Sequence, residues 1–415
     1  MSASSEREHI AALDRELVAI IRDFLILGPL SWSKEVGREF LKHAARGNLK
    51  LPEVEYARGD YSEKIAALTD YTQRLRSDDH PAICFLRETA LSYLHAYLLL
   101  TGVGTKAVSE YSRQLYGAPG DAIYGYKRRN IEVAHYFLRV ADQYHPAMEP
   151  EPLIYSAAKL RTVLQKRIGD CIDPLRDPVH VSVDGNIAAR ASAGPNYVKL
   201  RRGTRYSESD LLQLLHHEVF THTLTYINGR RQPTLRILGY ASPRTTATQE
   251  GLAVFAEYIN RSIELVRLKR IALRIIALEM AERGADLVDL FRFFRDHGQN
   301  DEDSYFSSMR LLRGGYPQGG IVFYKDNLYL SGLIAVEGFL KRNMHSGRVH
   351  DIALLFAGKL TVEDVERLHP LQEKGFVAPP AYLPDWARKS GELAAHLAFN
   401  DLTERFREKA ETAVP

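Results

Sequence analysis

The chain has 415 residues, 45% of them hydrophobic and 26% charged, with a formal net charge of +3 and only two cysteines, Cys84 and Cys171. That composition supports sizeable cores and excludes a disordered tail protein. The small net charge gives no ground for nucleic-acid binding, and cysteines outside any C-x-x-C pair exclude a disulfide framework and a thiolate zinc site. The N-terminus lacks a basic region followed by an apolar core, and no run of eighteen apolar residues occurs. The expectation is therefore a cytoplasmic protein with no membrane and no nucleic-acid partner.

Along the chain, Ile10, Leu13, Leu17, Ile20, Ile21 and Phe24 recur at helical spacing and predict a helix over 6–27, ended by Gly28-Pro29. Similar patterns predict helices over 33–45, 61–75, 81–100 and 105–115. His95, in an aromatic and apolar stretch, reads as a core histidine. The segment 146–152 holds three prolines and two glutamates; it divides an N-terminal helical region, 1–148, from a second part, 149–415, the two packed as one body. After a helix over 154–168 the pattern turns to period two over 179–183, 187–193 and 197–200, around Asp184-Gly185 and Gly194-Pro195-Asn196. Three short antiparallel strands are expected there.

Ser207 and Asp210 have the spacing of a capping box for the next helix, which Asn228-Gly229 should stop as a left-handed cap. This helix carries Leu214-Leu215-His216-His217-Glu218-Val219-Phe220-Thr221-His222. Imidazoles and a carboxylate are the ligand chemistry of catalytic zinc. In the commoner H-E-x-x-H pattern the histidines are four apart; here they are five apart. At ~100° per residue that leaves the two rings ~140° apart on an ideal α-helix, so a shared ion requires one extra residue in the turn. A π-bulge is expected around Val219–Thr221. Otherwise His217 and His222 are unrelated residues of an amphipathic helix.

A catalytic zinc needs a third protein ligand. Thr248-Gln249-Glu250-Gly251-Leu252-Ala253 offers Glu250, with Gly251 and Ala253 small enough for a second helix to come close. Glu257, seven residues on, would lie behind the site and orient a histidine. The plainer reading of Glu250 is a first-turn glutamate favoured by the helix dipole. Gly239 to Thr246 reads as a loop and 247–283 as one long helix, on which Arg267, Lys269 and Arg270 form a solvated face. Helical patterns follow over 287–294, 304–312 and 351–356. The segment 386–410 is amphipathic through Leu393, Ala394, Leu397, Leu402 and Phe406, and is expected to dock on the body, the alternative being a dimer contact.

HEVFTH, TQEGLA and Tyr324-Lys325-Asp326-Asn327-Leu328-Tyr329-Leu330, together with Leu115-Tyr116-Gly117 and Arg310-Leu311-Leu312-Arg313-Gly314, occur in an order that resembles the microtubule-associated tyrosine carboxypeptidase family. Its bacterial relatives are called flavohemoglobin-expression-modulating QEGLA-motif proteins, and the likeness runs over roughly 15–360. It implies a zinc metallopeptidase that removes a C-terminal aromatic residue from a peptide or protein. His217, His222 and Glu250 would hold one Zn²⁺ per chain, with Glu218 as general base. Such an enzyme must hold a terminal carboxylate, for which Arg310, Arg313 and Lys325 are candidates. Tyr329 is a candidate donor to the tetrahedral intermediate. The alternative for each is structural: Lys325 paired with a neighbouring acid, the arginines bracing the core, Tyr329 packing.

The fold expected is α+β, mostly α: a zincin-like metallopeptidase with a short antiparallel sheet before the active-site helix and an N-terminal helical region. Two other readings stay open. One is an aminopeptidase or dipeptidyl-peptidase, the other an inactive zincin-fold module serving regulation or interaction, against which the intact Glu218 speaks.

Overall fold

The computed structural model describes residues 3–144, 151–185, 187 and 190–411. The first periodic stretch forms the helix Ala3–Ile21, shorter than expected at its C-terminal end, and buries Ile10, Leu13, Leu17 and Ile21. Ser33 caps Lys34–Ala44, and Ser62–Arg74, Pro81–Thr101 and Ala107–Tyr116 follow as the sequence pattern predicts. A helix that the pattern did not assign, Asn130–Tyr144, packs through Ile131 and Ala134 onto Ile271, Ile275 and Val254. His95 is half-buried, its ring beside Tyr111. The proline-rich segment falls mostly outside the described residues.

A single large apolar cluster runs from Ile10 to Leu397 in sequence, so the N-terminal helices share a core with later ones. Asp14, buried in the first helix, accepts hydrogen bonds from the backbone N–H groups of Arg236 (3.0 Å) and Ile237 (2.9 Å). Burial is the larger influence on its carboxyl and raises the pKa to about 6 against those two hydrogen bonds. The last helix, Ser390–Glu411, docks as expected through Leu393 and Leu397, while Leu402 is exposed; the Phe406 side chain lies outside the described residues. Among the described residues no helix is long and apolar enough to cross a membrane.

Strands are few. Tyr155–Ser156 (β1) pairs with Arg205–Tyr206 (β5), and His180–Asp184 (β2), Ala191–Gly194 (β3) and Tyr197–Arg201 (β4) form a second sheet in the order β2-β4-β3. The all-antiparallel expectation fails here. In this sheet β4 lies between the others and runs parallel to β2, with Val181 opposite Val198, and antiparallel to β3; the separate β1–β5 pair is antiparallel as expected. Alternation identifies a strand's buried face, not its neighbour. β4 buries both Val198 and Leu200 and takes the centre, while the intervening segment 185–196 provides the long crossover that a parallel pair requires.

Residues 208–230 form one continuous helical rod behind this sheet. Its start is the predicted capping box: Ser207 Oγ accepts from Asp210 N, and Asp210 Oδ2 accepts from Ser207 N. Its end differs from expectation. Gly229 is helical, with no positive φ, and the rod stops at Arg230. Glycine is needed there because a Cβ would lie 2.2 Å from the Leu238 carbonyl oxygen. The long run over 247–283 is in fact two helices, Thr246–Ile259 and Leu265–Glu282, separated where Arg261 takes a left-handed conformation at φ 55°.

Candidate metal centre

The middle of the rod, Leu214–Thr223, is π-helical, a wider irregularity than the predicted bulge but centred on it. The Leu224 N–H reaches back to Val219 O, and the Thr221 hydroxyl donates to His216 O at 2.8 Å, both five residues apart. A turn closed over five residues brings side chains five apart to one side. His217 and His222 thus face each other with ring centroids 5.0 Å apart.

Opposite them stands Glu250, on a helix held close by glycine against glycine. A Cβ on Gly251 would fall 2.2 Å from the Gly332 carbonyl carbon and oxygen, and one on Gly332 would fall 2.2 Å from Ala247 O. The helices Thr246–Ile259 and Leu328–His345 therefore meet backbone to backbone. Glu250 Oε2 lies 3.6 Å from His217 Nε2 and 3.8 Å from His222 Nε2. One ligand atom from each of the three residues lies within 4.8 Å of the other two. Two imidazole nitrogens and one carboxylate oxygen converging on one point match the donor set of a three-ligand zinc site.

Each member is held from behind. His217 Nδ1 is 2.6 Å from Glu257 Oε1, the second carboxylate expected there, and Glu257 is fully buried. Arg267 closes the chain on Glu257, with Nε 2.6 Å from Oε2. The other oxygen of Glu250, Oε1, accepts from Lys325 Nζ at 3.0 Å. Behind His222, Lys359 Nζ is 3.3 Å from the His222 carbonyl and 3.2 Å from Gln249 Oε1, which also accepts from Thr225 Oγ1. Glu218 is half-buried, its Oε1 3.9 Å from His217 Nε2.

These contacts set the charge states. Burial disfavours a charged ring at His217, but hydrogen bonds to Glu250 and Glu257 and the charge of Glu218 outweigh it and carry the pKa up to about 10. Burial likewise opposes ionised Glu250 and Glu257. Lys325 and the two histidines nevertheless hold Glu250 well below the usual carboxylate range, and His217 and Arg267 lower Glu257. The cradle is thus built around positive charge, and a metal cation would take the place of the His217 proton.

The remaining candidates divide. Arg310 forms a two-pronged pair with buried Asp326, and Lys325 is committed to Glu250. Tyr329 lies beside Lys325, whose Nζ is 5.5 Å from its ring centroid. Arg313 is half-buried, and its Nε has no hydrogen-bond partner among the described residues. The solvated-face reading of the basic helix was wrong: Arg267 braces Glu257, and Lys269 reaches Asp142 at 2.7 Å. Its signal was present in sequence as the spacing Arg267, Arg270, Arg274, a row on one face. Lys359 belongs to no motif and had none.

A family model described as microtubule-associated tyrosine carboxypeptidase matches residues 38–405. The chain belongs to that family. Individual members of the microtubule-associated tyrosine carboxypeptidase family are distant: the proteins named microtubule-associated tyrosine carboxypeptidase 1 are 29% identical over 197 residues in Mus musculus, 28% over 196 in Homo sapiens and 27% over 196 in Rattus norvegicus. Each alignment covers 46% of this chain and 40% of the relative, so the matched stretch spans less than half the length of these relatives.

Proposed function

We propose that the chain is a zinc-dependent carboxypeptidase of zincin-like build that removes a C-terminal aromatic residue, Tyr or Phe, from a peptide or protein. The observation that carries this reading is the convergence of His217, His222 and Glu250 on one point, with Glu218 next to it. Their nitrogen and carboxylate donors would hold Zn²⁺, which when bound activates water and polarises the scissile carbonyl. Glu218 takes the proton of the attacking water and passes it to the leaving amine. Glu257, through Nδ1, aims the His217 Nε2 into the site, and Arg267 keeps Glu257 ionised to do so. Lys325 fixes Glu250 by its outer oxygen and leaves Oε2 turned toward the histidines. A C-terminal aromatic residue is what the relatives' name, tyrosine carboxypeptidase, supports as the residue released.

The test is incubation of zinc-loaded protein with a library of peptide C-termini, read by mass spectrometry. Loss of single terminal Tyr or Phe residues, with about one zinc per chain, is expected. Cleavage of C-terminally amidated peptides but not N-acetylated ones would replace this reading by the aminopeptidase type. A protein that holds zinc and cleaves nothing would leave the inactive module.

A further inference from the structure

Along the helix Leu265–Glu282, Arg267, Arg270 and Arg274 are spaced by three and four residues and so share one face. Arg267 is occupied by Glu257. Further along that face, Arg274 comes near Arg310 and Tyr329, Arg313 comes near the same two residues, and Asp326 is the acid that acts on all three arginines. Asp326 is already engaged, with both oxygens bonded to Arg310. The Nε atoms of Arg270, Arg274 and Arg313 are buried and have no hydrogen-bond partner among the described residues.

This is a costly way to fill a protein interior. Guanidinium donors left without acceptors, beside a guanidinium of the same sign, cost stability unless an anion arrives. The cost is visible in the charge states: burial foremost, and then Arg310, push both Arg274 and Arg313 down to about 10. These residues are not sealed off. Arg274 and Arg313 are each only half-buried, and the paired Arg310 side chain keeps 26% of its surface accessible. The arginines adjoin the metal cradle through Asp326, whose sequence neighbour Lys325 touches Glu250.

We propose that Arg274 and Arg313 hold the terminal carboxylate of the substrate, with Arg270 adding positive charge at the edge, while Arg310 and Lys325 are positioning residues already neutralised by Asp326 and Glu250. A planar carboxylate can accept paired N–H bonds from one guanidinium and a third from the other. The proposal rests on the carboxypeptidase reading and names the residues that would give it its preference for a free C-terminus.

Two probes test it: N-acetyl-tyrosine and N-acetyl-tyrosine amide, titrated calorimetrically into zinc-loaded Glu218→Gln protein. The free acid should bind at least tenfold more tightly than the amide. Adding Arg274→Met or Arg313→Met should remove most of that preference while the zinc content stays constant, and Arg→Lys should restore only part of it. A further readout separates a ligand role from bracing. If the arginines wait for an anion, each Met variant should keep or raise the melting temperature without ligand and lose the stabilisation that N-acetyl-tyrosine gives. A lowered melting temperature with the preference intact would overturn the proposal. So would a preference unmoved in both variants, as when the carboxylate rests on the metal, or an absent preference in the parent protein. The titration does not depend on turnover. Should the active protein cut terminal tyrosine while both Met variants keep the parent KM, this assignment fails and the carboxypeptidase reading stands.

Discussion

On the wall formed by the π-helical rod and the helix Thr246–Ile259, the buried charges of the cradle are matched within hydrogen-bond distance: His217 with Glu257, Glu257 with Arg267, Glu250 with Lys325. On the wall formed by Arg270, Arg274 and Arg313, three buried guanidinium nitrogens, the Nε atoms, have no acceptor among the described residues. Both lie among buried apolar residues. The difference lies in when the partner comes. The first wall is neutralised on folding and so fixes geometry; the second stays charged after folding and so selects what enters.

The sharpest way to break the first wall's role is through Glu218, which the cradle presents but does not bind tightly. Glu218→Gln should leave zinc content unchanged and lower kcat/KM by at least the ~10²–10⁴-fold typical of general acid–base catalysis. Zinc analysis beside peptide kinetics checks both halves. Undiminished turnover would take Glu218 out of the reaction.

Next in size is the backbone contact beneath Glu250. Gly251→Ala puts a methyl group where the Gly332 carbonyl already stands. The helices must part, at about 3 kcal/mol by the usual cost of overpacking, and Glu250 must retreat from the histidines. Denaturant unfolding and zinc affinity should worsen together. A variant as stable as its parent, with full zinc affinity, would mean that the helix pair does not set the cradle.

Asp14 sharpens the comparison from the other side, as a buried carboxyl held mainly by backbone donors, on which the charges of Arg236 and Arg15 act more weakly. Its folded pKa of about 6 stands above the ordinary aspartate value of 3.8, so between those values the folded protein holds a proton that the unfolded chain has lost. Stability from this residue is therefore present below about pH 4 and is lost as pH rises to about 6, by up to about 3 kcal/mol. Asp14→Asn has no such titration. Relative to the parent, it should be more destabilised at pH 4 than at pH 7, which urea unfolding at the two values measures. An equal difference at both would mean that Asp14 is ionised throughout.

The smallest effect is expected behind the metal. Glu257→Gln keeps a hydrogen bond to His217 but removes the charge that holds both the ring and Arg267. Zinc affinity should fall by about 10–100-fold, as for other groups that orient metal ligands. Competition with a chromogenic chelator measures this, and unchanged affinity would reduce Glu257 to packing.

Much of the cradle was legible in the sequence because each part obeys a local rule. Ser207 and Asp210 are a capping box at fixed spacing, and histidines five apart can share an ion only if the helix widens between them. Gly251 beside Glu250 pointed to a close helix contact, although not to Gly332 as its partner. What stayed hidden depends on neighbours remote in sequence. Gly229 looked like a helix stop because nothing local reveals the Leu238 carbonyl pressed against it. The helix break at Arg261 carries neither glycine nor proline to announce it. Strand order was misread because alternation is indifferent to which strand lies alongside. Arg267 was taken for a surface charge because its acid, Glu257, is on another helix.

The Gly251–Gly332 contact also governs how the site can move. Two helices separated by ordinary side chains can slide, as rotamers change and the gap refills. Two helices touching through carbonyls have no such slack: sliding by one residue is ~1.5 Å, and it would bring Ala247 O, already the nearest atom to the Gly332 Cβ direction, against a side chain. The helices Thr246–Ile259 and Leu328–His345 therefore travel as one block, carrying Glu250 and Tyr329 together. Any relative motion of the site's walls has its hinge outside that block, and the step to the arginine helix at Arg261 is itself bridged by the Glu257–Arg267 pair.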